Sequence, residues 1–176
     1  MRPPVLWKKF SRLWVPPGYV LGLVHLKKER WEAAEKQFAD LSAKNPDRAR
    51  FRFMYGLALA RQKKWDDAYE EVRMALLAEP MRNSWVLHFR RIERSMESRS
   101  LPALPLTQEE LEKLIEEYPG SSFLHSELAK IHHIETKWWQ EVECLKKAVK
   151  CFGQDADLHF RLGEALDHMK QRREAA

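Results

Sequence analysis

The stretch HSELAKIHH places His125 and His132 two helical turns apart, roughly on one face. Imidazoles so placed could begin a zinc site, and Cys144 with a histidine could form a nucleophile pair. Neither reading completes itself. Zinc takes three or four protein ligands, and there is no HExxH and no further cysteine or histidine close enough to finish a set. Cys144 stands beside Leu145 and Ala148 in a helical pattern, which points to packing. GxSxG, the P-loop and GxGxxG are absent. The expectation is therefore no catalytic residue, no metal and no cofactor, and a non-enzyme within these residues. Cys144 and Cys151 are seven apart on one helix, roughly 10 Å at 1.5 Å per residue. A disulfide needs less than about 7 Å, so two free thiols are expected.

Charge offers a second kind of chemistry. The chain carries a formal +5 with a pI near 9.2. Arg2, Lys8, Lys9 and Arg12 supply +4 of that within residues 1–14, where no acid occurs, leaving +1 for the rest. A nucleic-acid groove needs its excess along the body of the protein, so nucleic acid is not expected as a partner. In VLWKKFSRLWVPPG, Leu6, Phe10, Leu13 and Trp14 share a helical face while Lys8, Lys9 and Arg12 lie elsewhere. This arm, with Trp7, Lys8, Lys9, Phe10, Arg12 and Trp14 as its contact residues, has three readings. It folds back to cap the body of the protein, it touches an anionic membrane or a second domain, or it is disordered. YVLGLV, the longest apolar run, is far short of the about 20 residues that span a bilayer. With no apolar leader either, a cytoplasmic location is expected, at the inner membrane face if the arm touches membrane.

The elements that must position these residues repeat. Gly22, Trp31, Ala34 and Pro46 recur 34 residues later as Gly56, Trp65, Ala68 and Pro80. Ala129, Trp138 and Ala148 lie 73 beyond Gly56, Trp65 and Ala75, which is 34 plus 39. Gly163 lies 34 beyond Ala129, as Ala175 does beyond Glu141. A small residue lets two helices cross closely, a tryptophan fills the wedge where they diverge, and a proline ends each pair. The spacing predicts helix pairs near 15–48, 49–82, 83–121, 122–155 and 156–176, after the arm at 1–14.

The third unit is irregular. Trp85, Phe89, Ile92 and Met96 form one stripe, but strict register puts Arg90 where a small residue belongs, which suggests a one-residue shift. SRSLPALPLTQ should be a lengthened turn that absorbs the five extra residues, and Thr107 with Glu110 is spaced as a capping box. The last stretch, GEALDHMKQRREAA, is expected to stop inside a second helix, leaving Leu162 and Leu166 uncovered. A chain that continues, a partner or a second copy would cover them.

The chain resembles the tetratricopeptide-repeat family. Leu21-Gly22, Ala34, Phe38 and Pro46 match in the first unit, and Tyr55-Gly56, Ala68, Ala75 and Pro80 in the second. Leu128-Ala129, Leu145 and Ala148 match in the fourth, and Leu162-Gly163 and Ala175 in the fifth. The resemblance covers about residues 15–176 and implies an all-α fold, a right-handed α-solenoid of antiparallel helix pairs. It implies too that the first helix of each pair lines a concave face that holds a partner. By register that face carries Tyr19, Leu23, Phe53, Leu57 and Arg61, then His88, Arg91 and Arg94, then Lys130, His133, Phe160 and Arg161. An apolar entrance and a basic middle suit a protein or peptide with an acidic stretch. The places at which relatives clamp chaperone tails hold Tyr19, Leu23, Met54, Ser84 and His88 here, the wrong chemistry for a carboxylate.

Two functions stay open at this point. One is a non-catalytic interaction scaffold for a partner protein or neighbouring domain. The other is the helical-repeat domain of a larger bacterial enzyme, such as a surface-polysaccharide glycosyltransferase or a sulfotransferase, positioning polymer or membrane.

Overall fold

The computed structural model describes residues 15–96 and 106–174, with side chains up to residue 170. The basic arm, most of the SRSLPALPLTQ stretch and Ala175 lie outside the described residues.

Among the described residues every regular element is a helix, and there are nine. They are α1 (Pro17–Lys27), α2 (Trp31–Lys44), α3 (Ala49–Arg61), α4 (Trp65–Ala78), α5 (Asn83–Ser95), α6 (Gln108–Glu117), α7 (Ser122–Ile134), α8 (Trp138–Cys151) and α9 (Ala156–Glu174). None of them is long and apolar enough to cross a membrane.

The bounds keep the sequence period residue for residue. α2, α4 and α8 begin at Trp31, Trp65 and Trp138, and α3, α5 and α7 begin at Ala49, Asn83 and Ser122. In the first series the steps are 34 and 73, and in the second 34 and 39. The one-residue shift expected in the third unit is therefore absent, and Arg90 occupies the small-residue place itself. α6 ends at Glu117, 34 before the end of α8, so the extra residues fall before Gln108 as the spacing predicts. Thr107 caps α6: its hydroxyl accepts from the Glu110 amide at 3.3 Å while the Glu110 carboxylate takes the Thr107 amide at 2.8 Å.

Three of the turns between paired helices share one design. Glu29, Lys63 and Thr136 have φ of 56°, 62° and 57°. At the first, the Arg30 amide reaches back to the His25 carbonyl at 3.0 Å and the Glu29 amide to the Leu26 carbonyl at 3.1 Å. Lys64 to Leu59 with Lys63 to Ala60, and Lys137 to His132 with Thr136 to His133, repeat the pattern. This is the paired bonding of a Schellman motif, made without the glycine that usually occupies its left-handed position. The turn lets each tryptophan helix fold back on its predecessor.

The fifth pair departs from that plan. The position corresponding to Thr136 is Lys170, yet α9 runs unbroken from Ala156 to Glu174, where a turn and a second helix were expected. Residue 172 is arginine, so the tryptophan that packs into the other wedges is not there to hold a turn. Leu166 is exposed, while Leu162 and Met169 lie against the core.

Compactness divides the chain at Glu71 and Val72, inside α4. In the first unit α1 packs on α2 and α2 on α3. The fully buried Phe38 lies under Gly22, and Tyr19 meets it edge-on at 5.8 Å. In the second unit α6, α7, α8 and α9 pack in succession, with α5 against α7. Leu128, Ala129, Val142, Leu145, Ala148 and Leu158 form the core there. Cys144 and Cys151 are free thiols, the first buried and the second half-buried, and burial raises the pKa of both.

Candidate interaction site

In the first unit the residues expected on a partner face part company. Tyr19 and Phe53 are 3% and 5% exposed, so their rings belong to the core and not to a contact surface. Tyr19 also stacks with Phe51 at 5.6 Å, beneath the Arg50 guanidinium at 4.7 Å. Leu57 is half-buried. Leu23 is open, next to Val20, Leu21 and Val24, all exposed on an α1 that is apolar almost throughout. Arg61 is also open, its guanidinium 5.8 Å from the Trp31 ring centre.

In the second unit the first helices α5, α7 and α9 present a more organised set. His88, Arg91, Arg94, His133 and Phe160 are exposed, and Lys130 and Arg161 are half-buried. Beneath them lies a buried ionic network centred on Arg90. Its guanidinium donates to Ser126 Oγ at 2.5 Å, to Glu93 at 2.5 Å and to Asp155 at 3.5 Å. Lys130 bonds both Glu93 and Glu127, the latter at 2.6 Å. Arg94 on the rim is paired with Asp157 at 3.4 Å.

Burial works against a charge on Arg90, but Glu93, Glu127 and Asp155 outweigh it and hold its pKa above the ordinary arginine value. Burial likewise pushes Glu93 up, and the charges and hydrogen bonds of Arg90 and Lys130 bring it down to about 2. Buried pairs of this kind are weak evidence for stability, because desolvation consumes most of the attraction. They hold α5, α7 and the start of α9 in one arrangement.

Further along the same face, His133 Nδ1 lies 3.0 Å from Glu141 Oε1. The His133 and His168 rings flank Trp138 at 5.4 and 5.1 Å. Arg161 on α9 is half-buried. Burial first, then the like charge of Arg90, lowers its pKa, against the pull of Glu93, Glu127 and Glu141. The sequence pattern marks Arg90 only as a misfit at a small-residue place, and it gives Glu141 and Asp155 no part in the site. One signal was available: a long cation at a place reserved for glycine or alanine must have buried partners. The histidines first considered for zinc do not converge. His125 bonds the Pro119 carbonyl at 3.0 Å, and no group of three metal-ligating side chains occurs among the described residues.

Residues 19–83 match the tetratricopeptide-repeat family model. Over those residues the chain is similar to tetratricopeptide repeats. Two solved structures agree in fold over most of its length: the MamA RS-1 ArsTM double mutant, and MamA from residue 41 to its end from Desulfovibrio magneticus RS-1. Each has a TM-score of 0.51 and 13% identity, and covers 90% of this chain and 86% of its own. At that identity the likeness is one of fold alone. No curated protein matches. The sequence period accounts for the matching places of α3, α5 and α7 in each pair and for the complete burial of Ala34, Ala68, Ala129 and Ala148. Repeats of this family serve protein interaction in general, and the surface chemistry of this chain is its own.

Proposed function

We propose that residues 15–176 form a non-catalytic interaction module that holds a partner protein or a neighbouring domain on the first helices of its repeats. The observation that supports this best is the side-chain distribution on α5, α7 and α9. A buried ionic network fixes these helices, yet His88, Arg91, Arg94, His133 and Phe160 on them remain exposed, Phe160 with 67% of its surface open. A large exposed ring on a helix whose start is held by buried ion pairs suits a contact anchor. Leu23 and Arg61 offer a second set of contacts in the first unit.

A photo-cross-linking amino acid placed one position at a time tests the reading in the source cells. Adducts should form from His88, Arg94 and Phe160, and not from Glu112 on α6 or Lys146 on α8. Adducts from Glu112 and Lys146 alone would sink it.

A further inference from the structure

Three first helices of the repeats pack on the second helix before them: α3 on α2, α7 on α6 and α9 on α8. Each carries buried or half-buried residues at the same three repeat places. On α3 these are Phe51, Tyr55 and Ala58, and Phe51 and Ala58 share a core with Phe38 and Leu41 of α2. On α7 they are Leu124, Leu128 and Ile131. On α9 they are Leu158, Leu162 and Ala165, packed with Val142 and Leu145 of α8.

The same offsets lead back to Pro17, Leu21 and Val24 on α1, and there all three are exposed, Leu21 at 47% and Val24 at 40%. They lie at i, i+4 and i+7, and Val20, 51% exposed, falls on the same helical stripe. The stripe is apolar throughout. α1 thus keeps, uncovered, the face that its counterparts bury against a preceding helix. A terminal repeat exposed in this way calls for a cover.

The chain has a segment in place to supply one. Residues 1–14 run directly into α1 through Val15 and Pro16, and Pro16 is extended, with φ −60° and ψ 143°. Connections of about 2–8 residues suffice between antiparallel helices. Leu6, Phe10, Leu13 and Trp14 recur at helical spacing. They would span roughly 12 Å of helix, against roughly 10 Å from Pro17 to Val24. The arm and α1 hold no acid between them, so apolar area and not charge attraction would join them.

We propose that residues 1–14 dock on the Pro17, Leu21 and Val24 stripe through Leu6, Phe10, Leu13 and Trp14. Lys8, Lys9 and Arg12 lie off that side by spacing and stay in water. A docked arm withdraws its apolar side from any membrane. The proposal stands apart from the interaction-module reading, which rests on α5, α7 and α9.

The test puts a photo-cross-linking amino acid in place of Leu21 in the whole chain, irradiates the dilute purified protein and maps the adduct by peptide mass. Val24 is the second site should the change at Leu21 weaken the fold. The adduct should join α1 to residues 1–14 at the mass of one chain. Phe10→Asp with Leu13→Asp should abolish it and speed amide exchange in α1 roughly tenfold, as loss of a buried aromatic anchor requires. Lys8→Glu with Lys9→Glu should leave both readouts unchanged. An adduct at the mass of two chains would give the stripe to a second copy. An adduct to lipid alone, with phosphatidylglycerol vesicles present, would give it to a membrane. Either result overturns the proposal, and so does the lack of any adduct to residues 1–14.

Discussion

Gly22 and Gly163 hold the same place in their repeats, yet alanine at each should have opposite effects. A Cβ at Gly22 would lie 2.6 Å from Phe38 Cζ, 2.8 Å from Cε1 and 3.0 Å from Cε2. Carbon atoms meet comfortably at about 3.5–4.0 Å, so the ring would have to move by about 1 Å. Phe38 is wholly buried and wedged edge-on against Tyr19, which leaves it little room. Overpacking a core costs about 1–3 kcal/mol, and a clash this close belongs in the upper half of that range. Alanine returns about 1 kcal/mol of helix propensity, for a net loss of about 1–2 kcal/mol. At Gly163 a Cβ would meet nothing within 4 Å, so only the propensity gain applies. For a chain of this length, Gly22→Ala should lower Tm by about 2–8 °C, and Gly163→Ala should raise it by about 2–4 °C. Calorimetry reads both, and hydrogen exchange should show the first loss in α1 and α2. A Gly22→Ala protein that melts at or above the wild-type temperature would refute the close-crossing account of the repeat.

Two further outcomes concern the turns and the network. Thr136 is a β-branched residue in the left-handed region, which costs an L residue about 1–2 kcal/mol, so Thr136→Gly should stabilise by about 0.5–1 kcal/mol net of the added chain entropy. Urea titration checks this, and Glu135→Gly, at φ −80°, should bring no gain. Glu93, held at about 2 in the fold against an ordinary 4.5, contributes stability that is present above pH 4.5 and lost as pH falls toward 2. Acid unfolding should therefore steepen in that window, and Glu93→Gln should be weaker at pH 7 but show a shallower slope there.

What could be read from the sequence was whatever repeats. The offsets among Gly22, Trp31, Ala34 and Pro46 mark a 34-residue period that the starts of α2 and α4, and of α3 and α5, share, because wedge and close-crossing positions are local demands met again in each pair. The capping box at Thr107 does not repeat, and it was legible because its two partners lie three residues apart. The Arg90 network was not, since Ser126 and Asp155 lie 36 and 65 residues away and nothing periodic marks them. Tyr19 misled because α1 is apolar on nearly all sides, so no polar stripe shows which side faces inward. The unbroken α9 shows the converse, a period that lapses once arginine replaces the wedge tryptophan.

The two thiols on α8 form a pair of clocks on one helix. Cys151, half-buried in the final turn with Sγ 3.6 Å from the Pro119 carbonyl, is uncovered by fraying alone. Cys144 lies in the core that α7, α8 and α9 enclose, and a reagent reaches it only when those helices part. The ratio of the two alkylation rates thus separates end-fraying from opening of the whole last repeat. A partner seated on α7 and α9 should slow the second clock and leave the first running.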